Sequence, residues 1–78
     1  MKHLTALYTI GTTVYAVAGI TKLSDGRLNV SVASKEGARW EPGNWTETEA
    51  KNQADRFARE LLKTDTVSSQ WEEVLIDR

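Results

Sequence analysis

Trp45-Thr46-Glu47-Thr48-Glu49-Ala50-Lys51-Asn52-Gln53-Ala54-Asp55-Arg56-Phe57-Ala58-Arg59-Glu60-Leu61-Leu62-Lys63 is the stretch on which the reading of the fold turns. Thr46 followed three residues later by Glu49 is a capping box, in which each side chain satisfies a backbone N–H left open at a helix start. Ala50, Ala54, Phe57, Ala58, Leu61 and Leu62 then recur at helical spacing and make one apolar stripe. Trp45 stands just before the cap, placed for a small staple contact with Ala50. A helix running to about Lys63 follows, and no other stretch of the chain has its length and period.

Before the helix, the apolar period changes to two. Leu4, Ala6, Tyr8 and Ile10 fall on one side, and His3, Thr5, Leu7 and Thr9 on the other. Gly11-Thr12 breaks the run, and Thr13 to Leu23 reads as a second strand, with Gly19 a bulge or close-approach point. Ser24-Asp25-Gly26 is the strongest turn signal, and Leu28 to Ser34 follows as a third strand. Two registers fit this hairpin. A two-residue loop sets Leu23, Thr21 and Val17 beside Leu28 and Val30. A three-residue loop with a glycine bulge sets Ile20, Ala18, Ala16 and Val14 there; it buries more aliphatic surface and is preferred.

Lys35 to Asn44 is the least regular region. Lys35-Glu36-Gly37 reads as a turn, Ala38 to Glu41 as a short edge strand, and Pro42-Gly43-Asn44 as a turn into the helix cap. The tail from Thr66 has two readings. The Trp71, Glu73, Leu75 alternation suits a strand, whereas Ser69 with Glu72 would cap a short helix. The run Val74-Leu75-Ile76 favours a strand that returns to the sheet. Residues 1–78 are thus one α+β domain, an antiparallel sheet in the order β-β-β-(β)-α-β with one amphipathic helix packed on one face. A chain this short has a marginal core, for which dimerisation is a common supplement.

Ten basic and eleven acidic residues leave a net charge of −1. That weakens any electrostatic case for nucleic acid or an anionic membrane, and it excludes a polyanionic mimic of DNA. No cysteine is present, hence no disulfide framework, thiolate metal site or cysteine nucleophile. This composition suits a reducing compartment, and a cytoplasmic location is expected. Lys2, an apolar run and Ala16-Val17-Ala18 superficially match a signal peptide, but Thr5, Thr9, Gly11, Thr12 and Thr13 break the run. A strand pair is expected there instead, and no segment has the apolar length of a transmembrane helix.

Little in the sequence argues for catalysis. His3 is the sole histidine and has no partner at ligand spacing. The glycines are scattered and the serines lack a histidine nearby, so neither a phosphate loop nor a nucleophile is read. Glu72, Glu73 and Asp77 read as a solvated face. No enzymatic activity, cofactor or metal is expected. Two features remain as binding candidates. Opposite the apolar stripe, Asn52, Arg56, Arg59 and Lys63 form a basic ridge flanked by Glu49, Asp55 and Glu60. Along the helix, Asp55–Arg59 and Glu47–Lys51 are acid-before-base i,i+4 pairs worth about 0.3 kcal/mol each. The second feature is the loop bearing Lys35, Arg39 and Trp40, since exposed aromatic and arginine side chains are usual interface anchors and stacking platforms.

A short cysteine-free chain with a β-meander, one capped helix and an aromatic-bearing loop resembles, in overall layout, the small phage-encoded anti-defence proteins, anti-CRISPR proteins among them. The resemblance implies a stoichiometric inhibitor that docks on a large host complex and has no catalysis of its own. Those proteins share no common motif, so it carries over no functional residue. The expectation is a non-enzymatic protein-binding module using Lys35, Arg39, Trp40, Arg56, Arg59 and Lys63. A weak nucleic-acid binder working through the ridge, or a structural homodimer subunit, is the alternative.

Overall fold

Three turns fold the first half of the chain into a meander. The computed structural model describes residues 2–64 and 66–75. Strands β1 (Lys2–Ile10), β2 (Thr13–Lys22), β3 (Leu28–Ser34) and β4 (Gly37–Gly43) precede helix α1 (Glu47–Leu62), and strand β5 (Ser68–Leu75) closes the chain. The sheet order is β4-β3-β2-β1-β5, and every neighbouring pair is antiparallel. This is the α+β fold with one helix on one sheet face. The tail is a strand paired with β1, not a capped helix; its Ile76 lies outside the described residues.

The β2–β3 hairpin sets the register of the core. The Gly26 N–H donates to the Leu23 carbonyl at 3.0 Å, and the Leu23 N–H donates to the Arg27 carbonyl at 2.8 Å. Gly26 has φ 91°, a conformation its missing Cβ makes inexpensive. This is the three-residue loop with a glycine bulge, and it places Ile20 opposite Val30 and Ala18 opposite Val32. Asp25 fastens the loop by accepting from the Arg27 N–H at 3.0 Å and from Arg27 Nε at 2.7 Å.

A bulge displaces one residue expected on the core face. Tyr8 pairs with Ala16 but Thr9 pairs with Val14, so Tyr15 is the extra residue of β2. Val14 is consequently 48 % exposed rather than on the core face that Leu28 and Val30 share; Ile10, at the end of β1, is exposed as well. A second correction concerns β4. It runs through Pro42 and Gly43, which the sequence suggested as a turn. Proline is tolerated because β4 is an edge strand, with no ladder bond needed on its outer side.

The helix is capped as its sequence requires. Thr46 Oγ1 accepts from the Glu49 N–H at 3.1 Å, and Glu49 Oε1 accepts from the Thr46 N–H at 3.0 Å. The bond from the Thr46 backbone, with one from its side chain, holds the Glu49 carboxyl below the usual glutamate range. At the other end Lys63 takes the left-handed conformation, φ 56°, where a glycine is commonest. The helix therefore stops at Leu62, and Lys63 caps it.

Leu4, Ala6, Tyr8, Ala16, Ala18, Ile20, Val30 and Val32 meet Ala50, Ala54, Phe57 and Ala58 in one core. Each valine, leucine or isoleucine side chain fully buried there contributes about 1.5–3 kcal/mol, and each alanine less. Three alanines on the stripe let the helix approach the sheet closely, and Phe57 and Tyr8 fill the remaining depth. Gln53, unread as a core residue, is buried too. The helix packs chiefly on β3, then on β2 and β4. Toward β5 the core is closed by Val67 and Trp71, with Lys51 Nζ 6.0 Å from the Trp71 ring centroid. At the helix start, Trp45 packs on the core with its ring against Gly43.

Candidate partner-binding site

Alternation along the strands gives the sheet a second face that the helix does not cover. Because the registers run straight across, its residues form rows. One row is Gln70, Leu7, Val17, Ala33 and Ala38; the next is Glu72, Thr5, Gly19, Ser31 and Trp40. Leu7 and Val17 are each about half exposed, and Trp40 is 68 % exposed, the most exposed large apolar side chain among the described residues.

Between Trp40 and His3 lies a shallow groove of about 310 Å³ with Val17, Gly19, Ser31 and Ala33 along it. Gly19 forms part of its floor. A Cβ there would stand 3.4 Å from His3 Cε1 and 3.5 Å from Ser31 Oγ, so the imidazole lies close over the glycine backbone. His3 Nδ1 and Thr21 Oγ1 share a 2.8 Å hydrogen bond, and Ser31 Oγ donates to the Gly19 carbonyl at 3.3 Å. The polar groups of the face thus bond to one another around an apolar centre. Among the described residues its only acid is Glu72, and Arg39, which borders the groove, has its guanidinium paired with Glu60 on the helix side.

The residues singled out in the sequence do not share one surface. Arg39 and Trp40 are neighbours on β4, so they point to opposite faces of the sheet. Arg39 turns toward the helix and forms an ion pair with Glu60. Lys63 and Arg39 line an open cleft of about 550 Å³ at the C-terminal end of α1, together with Tyr15, Glu36, Leu61 and Leu62. Lys35 borders the adjoining hollow, which shares Tyr15, Glu36 and Leu62. Arg56 and Arg59 are exposed on the helix. Trp40 is alone on the far side. The loop grouping of Lys35, Arg39 and Trp40 fails because Gly37–Gly43 is a regular strand whose alternation splits it.

Leu7 and Val17 were not read as site residues. Their signal was present as apolar residues on the otherwise threonine-rich side of their strands, but a single strand does not show that two such positions face each other. Among the described residues no group of three or more His, Cys, Asp or Glu side chains could hold a metal ion, and no helix is long and apolar enough to cross a membrane. No known family, curated protein or solved structure matches the chain.

Proposed function

We propose that the protein is a non-catalytic protein-binding module that engages its partner through the open face of the sheet. The observation that carries this reading is Trp40, 68 % exposed at the margin of a groove that half-exposed Val17 also lines, with Leu7 paired to Val17 on the same face. A tryptophan over an apolar centre with a polar rim is the composition of an interface hot spot. A stoichiometric inhibitor of a large bacterial defence complex, the role implied by the resemblance in layout, would act through this same face. The nucleic-acid alternative needs cations beside its stacking aromatics. Here the tryptophan and the basic ridge stand on opposite sides of the molecule.

The test compares wild type, Trp40→Ala and the double variant Arg56→Glu/Arg59→Glu as baits in a bacterial lysate. Each protein captured is then titrated at low and high salt. Trp40→Ala is expected to weaken binding by at least about 2 kcal/mol, roughly thirtyfold. The ridge variant should bind normally, with little salt dependence. Loss confined to the ridge variant, with a steep salt slope and nucleic acid in the captured material, would overturn the proposal.

A further inference from the structure

The two edges of the sheet differ in what their backbones offer. In an antiparallel sheet, facing residues alternate between pairs that exchange both backbone hydrogen bonds and pairs that exchange none. The Leu23 N–H to Arg27 carbonyl bond fixes that alternation. Counting from it, Thr21, Gly19 and Val17 bond to β3, so the backbones of Ile20, Ala18 and Ala16 turn to Leu4, Ala6 and Tyr8 of β1. Thr5, Leu7 and Thr9 then turn the other way, onto Glu72, Gln70 and Ser68. The amides and carbonyls of Ser69 and Trp71 therefore point off the sheet.

At the opposite edge the same count turns Ala38, Trp40 and Pro42 outward. Proline has no N–H to give, so that edge is blunted in the way natural sheets commonly use. The β5 edge has no proline, lysine or arginine; its charges are Glu72 and Glu73, its pairing with β1 runs from Ser68 to Leu75 without a register shift, and α1 packs chiefly on β3, β2 and β4.

We propose that β5 is an acceptor edge for an extended, lysine- or arginine-bearing segment of another protein, which adds to the sheet as a further strand. Main-chain bonds to Ser69 and Trp71 supply the attachment. Charge supplies the choice of partner: on its open side β5 presents Glu72, and Ser68–Leu75 holds no base. Lys51 sits over Trp71 on the helix side. The basic residues of the added strand accordingly belong on the open side, next to Glu72, with uncharged residues beside Trp71. Glu72 and Trp40 stand at opposite ends of one cross-strand row, so the β5 edge lies four strands away from Trp40 and pairing there makes no use of it.

The probe is a blocked eight-residue peptide alternating lysine and threonine, with a glutamate–threonine peptide as control. Amide hydrogen exchange is read residue by residue. The lysine peptide is expected to slow exchange at Ser69 and Trp71 at least tenfold and to leave Ala38 and Trp40 unchanged. Glu72→Lys should weaken the lysine peptide at least tenfold and admit the glutamate peptide. If that variant melts early, Glu72→Gln serves, with a smaller loss expected. No slowing at millimolar peptide, or slowing on β4 instead, overturns the proposal. So does protection of Ser69 and Trp71 in the protein alone, accompanied by a dimer mass in sedimentation, because the occupant is then a second copy.

Discussion

The Tyr8 hydroxyl donates a 2.6 Å hydrogen bond to Asp55 Oδ1, joining residues 47 apart in sequence and tying β1 to the outer flank of α1. Tyr8 is 1 % exposed, so its ring belongs to the core while its oxygen reaches the rim. Burial is the main cause that pushes its phenol well above the ordinary value. The bond to Asp55 and that residue's charge push the same way, and Arg59 opposes them weakly.

Tyr8→Phe keeps the ring and removes the bond, at an expected cost of about 2 kcal/mol near neutrality. The pH dependence adds a second signature. An unfolded chain loses the phenol proton near pH 10, whereas the native state keeps it. The native state then binds more protons, and its advantage is full below about pH 10 and declines as pH rises beyond it. Urea unfolding of both proteins from pH 8 to pH 11 should show the gap between them narrowing at the alkaline end. A gap that stays constant would mean that the native state does not keep the phenol proton above pH 10.

The capping box makes a prediction of opposite sign in pH. Thr46→Ala should cost about 1 kcal/mol. The Glu49 carboxyl is held below its ordinary value in the folded chain by the Thr46 bonds. A depressed carboxyl stabilises above its unfolded value and loses that contribution as pH falls through the folded one. Thermal melts from pH 7 down to pH 3 should therefore show wild type losing more stability than Glu49→Gln once pH drops below about 4.5. Parallel acid profiles for the two proteins would show that Glu49 does not close the box in solution.

The strands and the helix were legible because each has a local signature: period two with β-branched residues, or period 3.6 behind a cap. The Ser24-Asp25-Gly26 loop could be resolved further, since only one register sets Ile20 and Ala18 against Val30 and Val32. What stayed hidden depends on relations between strands. The bulge at Tyr15 exposes Val14 through the pairing of Thr9, which nothing in Val14's own neighbourhood reveals. The candidate face is of the same kind, because Leu7, Val17 and Trp40 become neighbours only when β1 to β4 are laid side by side. Arg39 and Trp40 looked like one loop cluster because Pro42-Gly43 is a strong turn signal. An edge strand tolerates that proline, and alternation then sends the two side chains apart.

Gly43 and Trp45 supply the last prediction. A Cβ on Gly43 would stand 2.7 Å from Trp45 Nε1 and 2.8 Å from Cε2, well inside contact distance. The indole cannot withdraw freely, because Trp45 packs against the core and its Nε1 is buried with no hydrogen-bond partner among the described residues. Gly43→Ala must push the ring outward, away from the helix start that it covers. The expected cost is about 1–3 kcal/mol, in the range of overpacked sites. The cause can be isolated with a double-mutant cycle, since Trp45→Phe is itself destabilising through lost packing but removes Nε1 and the outer ring. In the Trp45→Phe background, Gly43→Ala should cost less than half as much as in wild type. Equal costs in both backgrounds would place the penalty in the β4 backbone rather than in the contact with Trp45.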